Sequence, residues 1–173
     1  LMIFNQSETA ITLYDRALFT KPGDSELLKK KGEALIKSGR SREAAQVYRQ
    51  ILEFDANDTV ALMRTGDTSF SEGNLKEAIV YYDKALAQNP DDAKIYLREG
   101  DAYLMISMVE AQRLEDIAKS LSQQSGSTDY HPTSAQQIES MDSYKKAVEN
   151  YQKAMQIDPR MSVVVSTRLL GVA

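Results

Sequence analysis

Residues 59–92 carry the clearest pattern in the chain. Leu62, Gly66 and Phe70 recur every four residues, so Thr59 to Glu72 predicts a helix with one apolar face. Gly73-Asn74 follows as a helix stop, able to adopt the left-handed conformation. The stretch LKEAIVYYDKALAQNP then places Ala78, Tyr82, Ala85 and Leu86 on one face and closes at Pro90. Two short antiparallel helices, A and B, are expected. Gly66 lets helix B approach closely, and Ala78 sits on the facing side for the same reason. Tyr82 and Ala85 fill the joint to the next unit, because helical interfaces reach native packing density by setting small residues against large ones.

The unit repeats. Gly32, Gly66 and Gly100 are spaced by 34, as are Ala10, Ala44 and Ala78, and Tyr14, Tyr48 and Tyr82. The next members, Ala147 and Tyr151, lie 69 further on, one period plus 35 residues. Ala85 to Ala154 and Pro90 to Pro159 slip by the same amount, so a single 35-residue segment interrupts a regular array. A fixed period of this length marks a stacked helical solenoid.

These columns resemble the tetratricopeptide repeat (TPR) family over nearly the whole chain outside the insert. The family's small residue before the A/B turn matches Gly32, Gly66 and Gly100, and its helix-B alanine matches Ala10, Ala44, Ala78 and Ala147. Its aromatic matches Tyr14, Tyr48, Tyr82 and Tyr151, and its first-turn large residue matches Leu28, Leu62 and Tyr96. The following small position matches Ala17, Ala85 and Ala154, with Ile51 departing; the closing proline matches Pro22, Pro90 and Pro159, with Ala56 departing. The resemblance implies an all-α, right-handed solenoid of antiparallel helix pairs, with one pair elongated into a projecting hairpin. The expected divisions are a half-repeat at 1–24, repeats at 25–58, 59–92 and 93–161, and a partial repeat or capping helix at 162–173.

The register places Leu1 to Phe4 in the last turn of a helix A, with Asn5 as its left-handed stop. The chain then starts on an orphan helix B and ends on an orphan helix A, where Leu169 replaces the small residue and Val163-Val164-Val165 makes a poor helix start. Leu1 in place of an initiator methionine, within a repeat, predicts a fragment of a longer protein.

In the fourth unit the stop is lost. Asn5, Gly39 and Gly73 are matched there by Ser107, which tolerates a positive φ poorly, and the good helix formers MVEAQRLEDIAKSL follow. Helix A is expected to run on to about Gln124, ~48 Å in all, until Gly126 stops it. Ser125 to Pro132 reads as a polar turn. Thr133 and Ser134, with Gln136 and Gln137 in capping-box spacing, start a helix B reaching about Ile157. The insertion therefore spans about 107–143. Met108, Ala111, Leu114, Ala118 and Leu121 form one apolar stripe, and Ala135, Ile138, Met141 and Val148 another. Two readings stand: the stripes satisfy each other, or Leu114, Ile117, Leu121, Ile138 and Met141 form a dimerisation or docking arm.

The net charge of −4, without a Lys/Arg cluster, provides no basic stripe for nucleic acid or an anionic membrane. The longest apolar runs, such as Ala102 to Ile106, are far too short to span a bilayer. The absence of cysteine removes disulfides, thiolate nucleophiles and Cys-based zinc sites, and fits a reducing, cytoplasmic compartment.

In the family, A helices line the concave surface and take extended peptides or a partner helix. Carried over by register, the groove positions are Glu26, Lys29, Glu33, Ile36 and Lys37, then Val60, Met63, Arg64, Asp67 and Phe70, then Lys94, Leu97, Arg98, Asp101 and Leu104. This is an apolar floor mixed with both charges, suited to an amphipathic segment. Some relatives clamp the C-terminal carboxylate of heat-shock chaperones. Lys29, Lys94 and Arg98 fall at the clamp's basic positions, but its two asparagines are replaced by Glu33 and Arg64, so the clamp is incomplete.

The only histidine, His131, lies in DYHP near Asp129, which could hold a metal or act as a base but lacks a third group. No phosphate loop, nucleophile elbow or HExxH occurs. Asp67 and Asp101, one repeat apart, reflect repetition more than an acid/base couple. The sequence thus points to a non-catalytic protein-interaction module without cofactor or metal, binding a protein or peptide. Two alternatives are a self-assembly module joined through its end helices or arm, and a substrate-recruiting domain of a larger enzyme.

Overall fold

The computed structural model describes residues 2–125 and 135–170, with the side chains of 6–123, 137–139 and 141–170. All described regular structure is helical: α1 (Met2–Thr20), α2 (Ser25–Lys37), α3 (Ser41–Phe54), α4 (Thr59–Ser71), α5 (Leu75–Gln88), α6 (Ala93–Ser125), α7 (Ala135–Ser140), α8 (Asp142–Ile157) and α9 (Ser162–Leu170), with a 3₁₀ turn at Pro159–Met161. The chain forms two compact units, residues 1–90 and 91–173.

In the first unit α1 packs on α2, α2 on α3, α3 on α4 and α4 on α5. Local chemistry sets the ends. Asp24 accepts from Leu27 N at 3.1 Å and Asp58 from Ala61 N at 2.9 Å, so each caps an A helix. Gly39 (φ 78°) and Gly73 (φ 80°) end those helices in the left-handed conformation. Arg40 N then donates to Leu35 O at 2.9 Å and Asn74 N to Ser69 O at 2.8 Å, satisfying carbonyls that a helix end leaves open. Glycine alone takes the positive φ; Asn74 does not. Leu28, Leu35, Ala44, Tyr48, Ile51 and Ala61 form one buried cluster.

The glycine columns explain the close approach of A to B. A Cβ added at Gly32 would meet the Tyr48 ring at 2.6 Å, one at Gly66 the Tyr82 ring at 2.6 Å, and one at Gly100 the Tyr151 ring at 2.6 Å. Each tyrosine is therefore wedged against the glycine of its own helix pair, and only the missing side chain lets its ring lie there.

In the second unit α6 packs along α8, with α7 against both. Leu104, Ala147, Tyr151 and Val165 are buried together, which seats α9 on the pair. Asp158 accepts from Arg160 N at 3.1 Å and starts the 3₁₀ turn that leads into α9. The three β-branched valines of α9 do not prevent a helix, because Val165 is buried in that cluster and tertiary packing outweighs propensity.

Three expectations are corrected. α1 is one unbroken helix from Met2, with no stop at Asn5. The left-handed conformation costs an L-residue about 1–2 kcal/mol, and Asn5 keeps its helical hydrogen bonding instead. The returning segment is not one helix: α7 ends at Ser140, Met141 is extended (φ −68°, ψ 142°), and α8 begins at Asp142. Ser143, in the first turn of α8, donates to Glu110 Oε2 at 2.6 Å, and Asp142-Ser143 suits a helix start better than a helix interior. The expected stripe of α6 is covered only at Ala111 and Ala118. Ser107 and Ala111 are buried and Glu115, Ala118 and Ser122 half-buried, whereas Met108, Leu114 and Leu121 stay exposed. Small side chains permit the close approach to α8 that leucines would block.

α6 passes through Ser107 without a break and extends 33 residues, about 50 Å. Ser107 is fully buried and donates to Leu104 O at 2.7 Å. Gly126, Thr133 and Ser134 lie outside the described residues.

Candidate partner-binding surface

The A helices α2 and α4 carry the first group of expected groove residues. Lys29 is engaged: its Nζ lies 2.7 Å from Asp58 Oδ2 and 3.2 Å from Glu26 Oε1. The Asp58 hydrogen bond is the main cause that raises the Lys29 pKa above the usual lysine range. Asp58 also caps α4, so one carboxylate joins the two helices, and Lys29 is not free for an incoming carboxylate. Glu33 and Lys37 are exposed and border an open pocket of ≈ 390 Å³, together with Gln6, Ser7, Ala10 and Tyr14 of α1 and Lys30 and Ala34 of α2. Ile36 and Val60 are exposed; Met63, Asp67 and Phe70 are half-buried.

Arg64 reaches Asp67 at 3.5 Å with one terminal nitrogen and lies beside the Tyr48 hydroxyl. Yet neither the buried Arg64 Nε nor the buried Tyr48 hydroxyl completes a hydrogen bond. Burial raises the Tyr48 hydroxyl above the ordinary tyrosine range, with Arg64 acting in the opposite direction. Asp67 accepts the Tyr82 hydroxyl at 3.0 Å.

The second unit holds the remaining positions. Lys94 and Arg98 are exposed and Leu97 is half-buried. Lys94 is near enough to Asp158 to help hold its carboxyl below the usual range, though Arg160 is the larger cause. Asp101 accepts the Tyr151 hydroxyl at 2.9 Å and also takes the Arg168 guanidinium of α9. Leu104 belongs to the core under α9 and is not a surface residue. Leu114, Ile117 and Leu121 lie exposed along α6, while Ile138 and Met141 are half-buried.

Sequence reasoning missed the tyrosine–aspartate bonds. The signal was the dipeptide Gly-Asp at 66–67 and 100–101 in step with Tyr82 and Tyr151, with Glu33 as the exception. Among the described residues, no group of three or more His, Asp or Glu side chains could hold a metal ion. His131 and Asp129 lie outside the described residues. No helix among the described residues is long and apolar enough to cross a membrane.

Helix pairs closed by Gly–Tyr wedges at a 34-residue period define a repeat protein of interaction-scaffold type. Tetratricopeptide-repeat family profiles match residues 4–59 and 139–161, and a TPR-repeat profile matches residues 66–106. The chain belongs to the tetratricopeptide repeat family. Its fold is similar to solved structures of MamA. One, "Crystal structure of MamA", is 21% identical, covers 91% of this chain and 92% of that chain, and has a TM-score of 0.58. "MamA MSR-1 C2" is 16% identical over 90% of this chain and 69% of that chain, with a TM-score of 0.58. "MamA RS-1 ArsTM double mutant" is 21% identical over 91% and 88%, with a TM-score of 0.57. No curated protein matches the sequence at a significant level.

Proposed function

We propose that this chain is a non-catalytic interaction scaffold that takes an amphipathic peptide or partner helix on the A-helix face of α2 and α4. The observation that carries this reading is the mixture on that face: Ile36 is exposed beside the charges of Glu33 and Lys37 in α2, and in α4 Val60 is exposed in the first turn and Phe70 half-buried in the last. Apolar side chains anchor an amphipathic ligand and the flanking charges select its register. The engagement of Lys29 by Asp58 and the acidic Glu33 argue against capture of a bare terminal carboxylate there. A pull-down from the source cells would compare the native chain, an Ile36→Glu/Val60→Glu variant and a chain lacking residues 108–143. Loss of the same bound proteins in the face variant, and their retention without 108–143, is the expected result. Identical capture by all three would sink this reading.

A second reading gives α6 a part. Leu114, Ile117 and Leu121 lie one helical turn apart and are all exposed, forming an apolar line suited to a helix-on-helix contact with a partner or a second copy. Light scattering over a range of concentrations, for the native chain and for Leu114→Glu/Leu121→Glu, tests the second-copy version. A strict monomer in both would remove it.

A further inference from the structure

A tyrosine hydroxyl and an arginine Nε share one carboxylate in one helix joint and have no acceptor in another. Where α6, α8 and α9 meet, the Tyr151 hydroxyl and Arg168 Nε both donate to Asp101 Oδ1. Where α2, α3 and α4 meet, the same two kinds of donor are the Tyr48 hydroxyl and Arg64 Nε. Tyr48 is wholly buried, both donor atoms are shut off from solvent, and among the described residues neither has an acceptor. Asp67 does not serve. Its Oδ1 accepts the Tyr82 hydroxyl at 3.0 Å, and its other oxygen meets only Arg64 Nη1, at 3.5 Å. Glu33 holds the place in α2 that Asp101 holds in α6, yet it lies exposed. A buried donor without an acceptor has lost its hydration for nothing, and a charged one loses most. This joint therefore presents a donor set suited to a carboxylate that Glu33 does not supply.

We infer that Tyr48 and Arg64 form a carboxylate subsite on the A-helix face of α2 and α4, which takes an aspartate or glutamate side chain of the bound peptide. The inference rests on the reading of that face as a peptide site and gives the ligand one required acidic residue. Arg64 is the entry point. Its side chain is 30% exposed, so the guanidinium has one edge on the surface while it lies beside the Tyr48 hydroxyl. Its fork of donors matches the two oxygens of a carboxylate. Turning about its own side-chain bonds, it opens the Tyr48 hydroxyl to the incoming oxygen, which then stands to Tyr48 as Asp101 stands to Tyr151. Glu33 opposes the ligand charge, but from solvent, where water and salt screen it. A terminal carboxylate is the poorer occupant. Lys29, which would help to hold it, is bound to Asp58. Val60 lies exposed one turn before Arg64, and Ile36 one turn after Glu33, so each helix offers an apolar contact to a chain that continues past the acid.

The test uses the full chain, isotope-labelled for NMR, and N-acetylglutamate N-methylamide, a probe whose only charge is the side-chain carboxylate. The Arg64 Nε–H signal, assigned by its loss in Arg64→Lys, should shift saturably in a titration at constant ionic strength. N-acetylglutamine N-methylamide should leave it in place, and N-acetylalanine, which offers a terminal carboxylate, should bind more weakly. Tyr48→Phe keeps the ring and should weaken binding of the glutamate probe by about tenfold. Glu33→Asp should weaken it as much for another reason, because the shorter acid brings the chain's own carboxylate to Tyr48. No shift, equal shifts with the glutamate and glutamine probes, or a shift that survives both Tyr48→Phe and Glu33→Asp overturns the inference. Tighter binding of N-acetylalanine overturns the assignment to a side chain. Failure here is distinguishable from failure of the proposed function, because the Ile36→Glu/Val60→Glu pull-down leaves Tyr48 and Arg64 in place and reads peptide capture alone.

Discussion

The Tyr151 hydroxyl donates to Asp101 Oδ1 across 2.9 Å, and the same carboxylate oxygen takes the Arg168 guanidinium of α9. One acid on α6 thus ties together a tyrosine of α8 and an arginine of α9. Burial, and then the Asp101 charge, drive the Tyr151 hydroxyl far above the ordinary tyrosine value of 10.0. The folded chain therefore holds this proton at pH values where the unfolded chain releases it. A raised folded-state pKa contributes stability that is complete below pH about 10 and lost as pH climbs beyond it. Melting temperatures should be level near neutrality and fall above pH about 10, with Tyr48 acting in the same sense. Tyr151→Phe should remove part of the alkaline decline while lowering stability at neutral pH. Thermal melts by circular dichroism across pH 7–11 (a range about the unperturbed tyrosine value) would expose an error as a melting temperature that stays level throughout.

Glu33 is the one glutamate in the column otherwise held by Asp67 and Asp101, and Tyr48, its partner by register, has an unbonded buried hydroxyl. The extra methylene leaves Glu33 out in solvent. Glu33→Asp should bring a carboxylate to Tyr48 and raise stability by about 1 kcal/mol. Urea unfolding measures it. The gain should vanish in a Tyr48→Phe background; a gain that survives there would refute this origin.

Gly66→Ala pits propensity against packing. Alanine is favoured in a helix interior by about 1 kcal/mol. Here its Cβ would meet the Tyr82 ring at 2.6 Å, and the fully buried ring has nowhere to go. A net loss of about 1–3 kcal/mol is expected from overpacking. Gly39→Ala should also destabilise, but for another reason: nothing lies within 4 Å of its Cβ, while its φ of 78° strains any L side chain. Adding Tyr82→Leu should recover part of the Gly66→Ala loss and none of the Gly39→Ala loss, as read from denaturant midpoints.

Ser107→Gly should restore the kind of residue that stops α2 and α4. Glycine inside a helix costs about 0.5–1 kcal/mol relative to alanine. The substitution would also delete the buried hydroxyl that donates to Leu104 O. A lower melting temperature is expected, with reduced helical ellipticity at the far end of α6. Unchanged ellipticity would show that packing on α8 alone carries the helix past this point.

The helix pairs and their glycine and tyrosine columns were legible because a period reports which residues share a face and which turn ends each helix. The fate of single side chains on that face was not. Lys29 reads as an open groove cation until Asp58, 29 residues away in the chain, reaches it at 2.7 Å. Leu104 reads as groove floor until α9 brings Val165 over it. The stripe on α6 was legible only in part: Ala111 and Ala118 are covered as expected, but Leu114 and Leu121 stay exposed, because close helix approach favours small residues such as Ser107.

By itself the sequence determined the repeat, the all-helical class, the glycine stops at Gly39 and Gly73 and the run-on at Ser107, because these depend on backbone freedom and periodic burial within a few residues. Only the tertiary structure decided which acids meet which tyrosines, which lysine is already paired, and where the returning segment breaks at Met141. Those outcomes depend on atoms brought together across tens of residues. Their distances are set by how the helices seat on one another, which no pattern along the chain encodes.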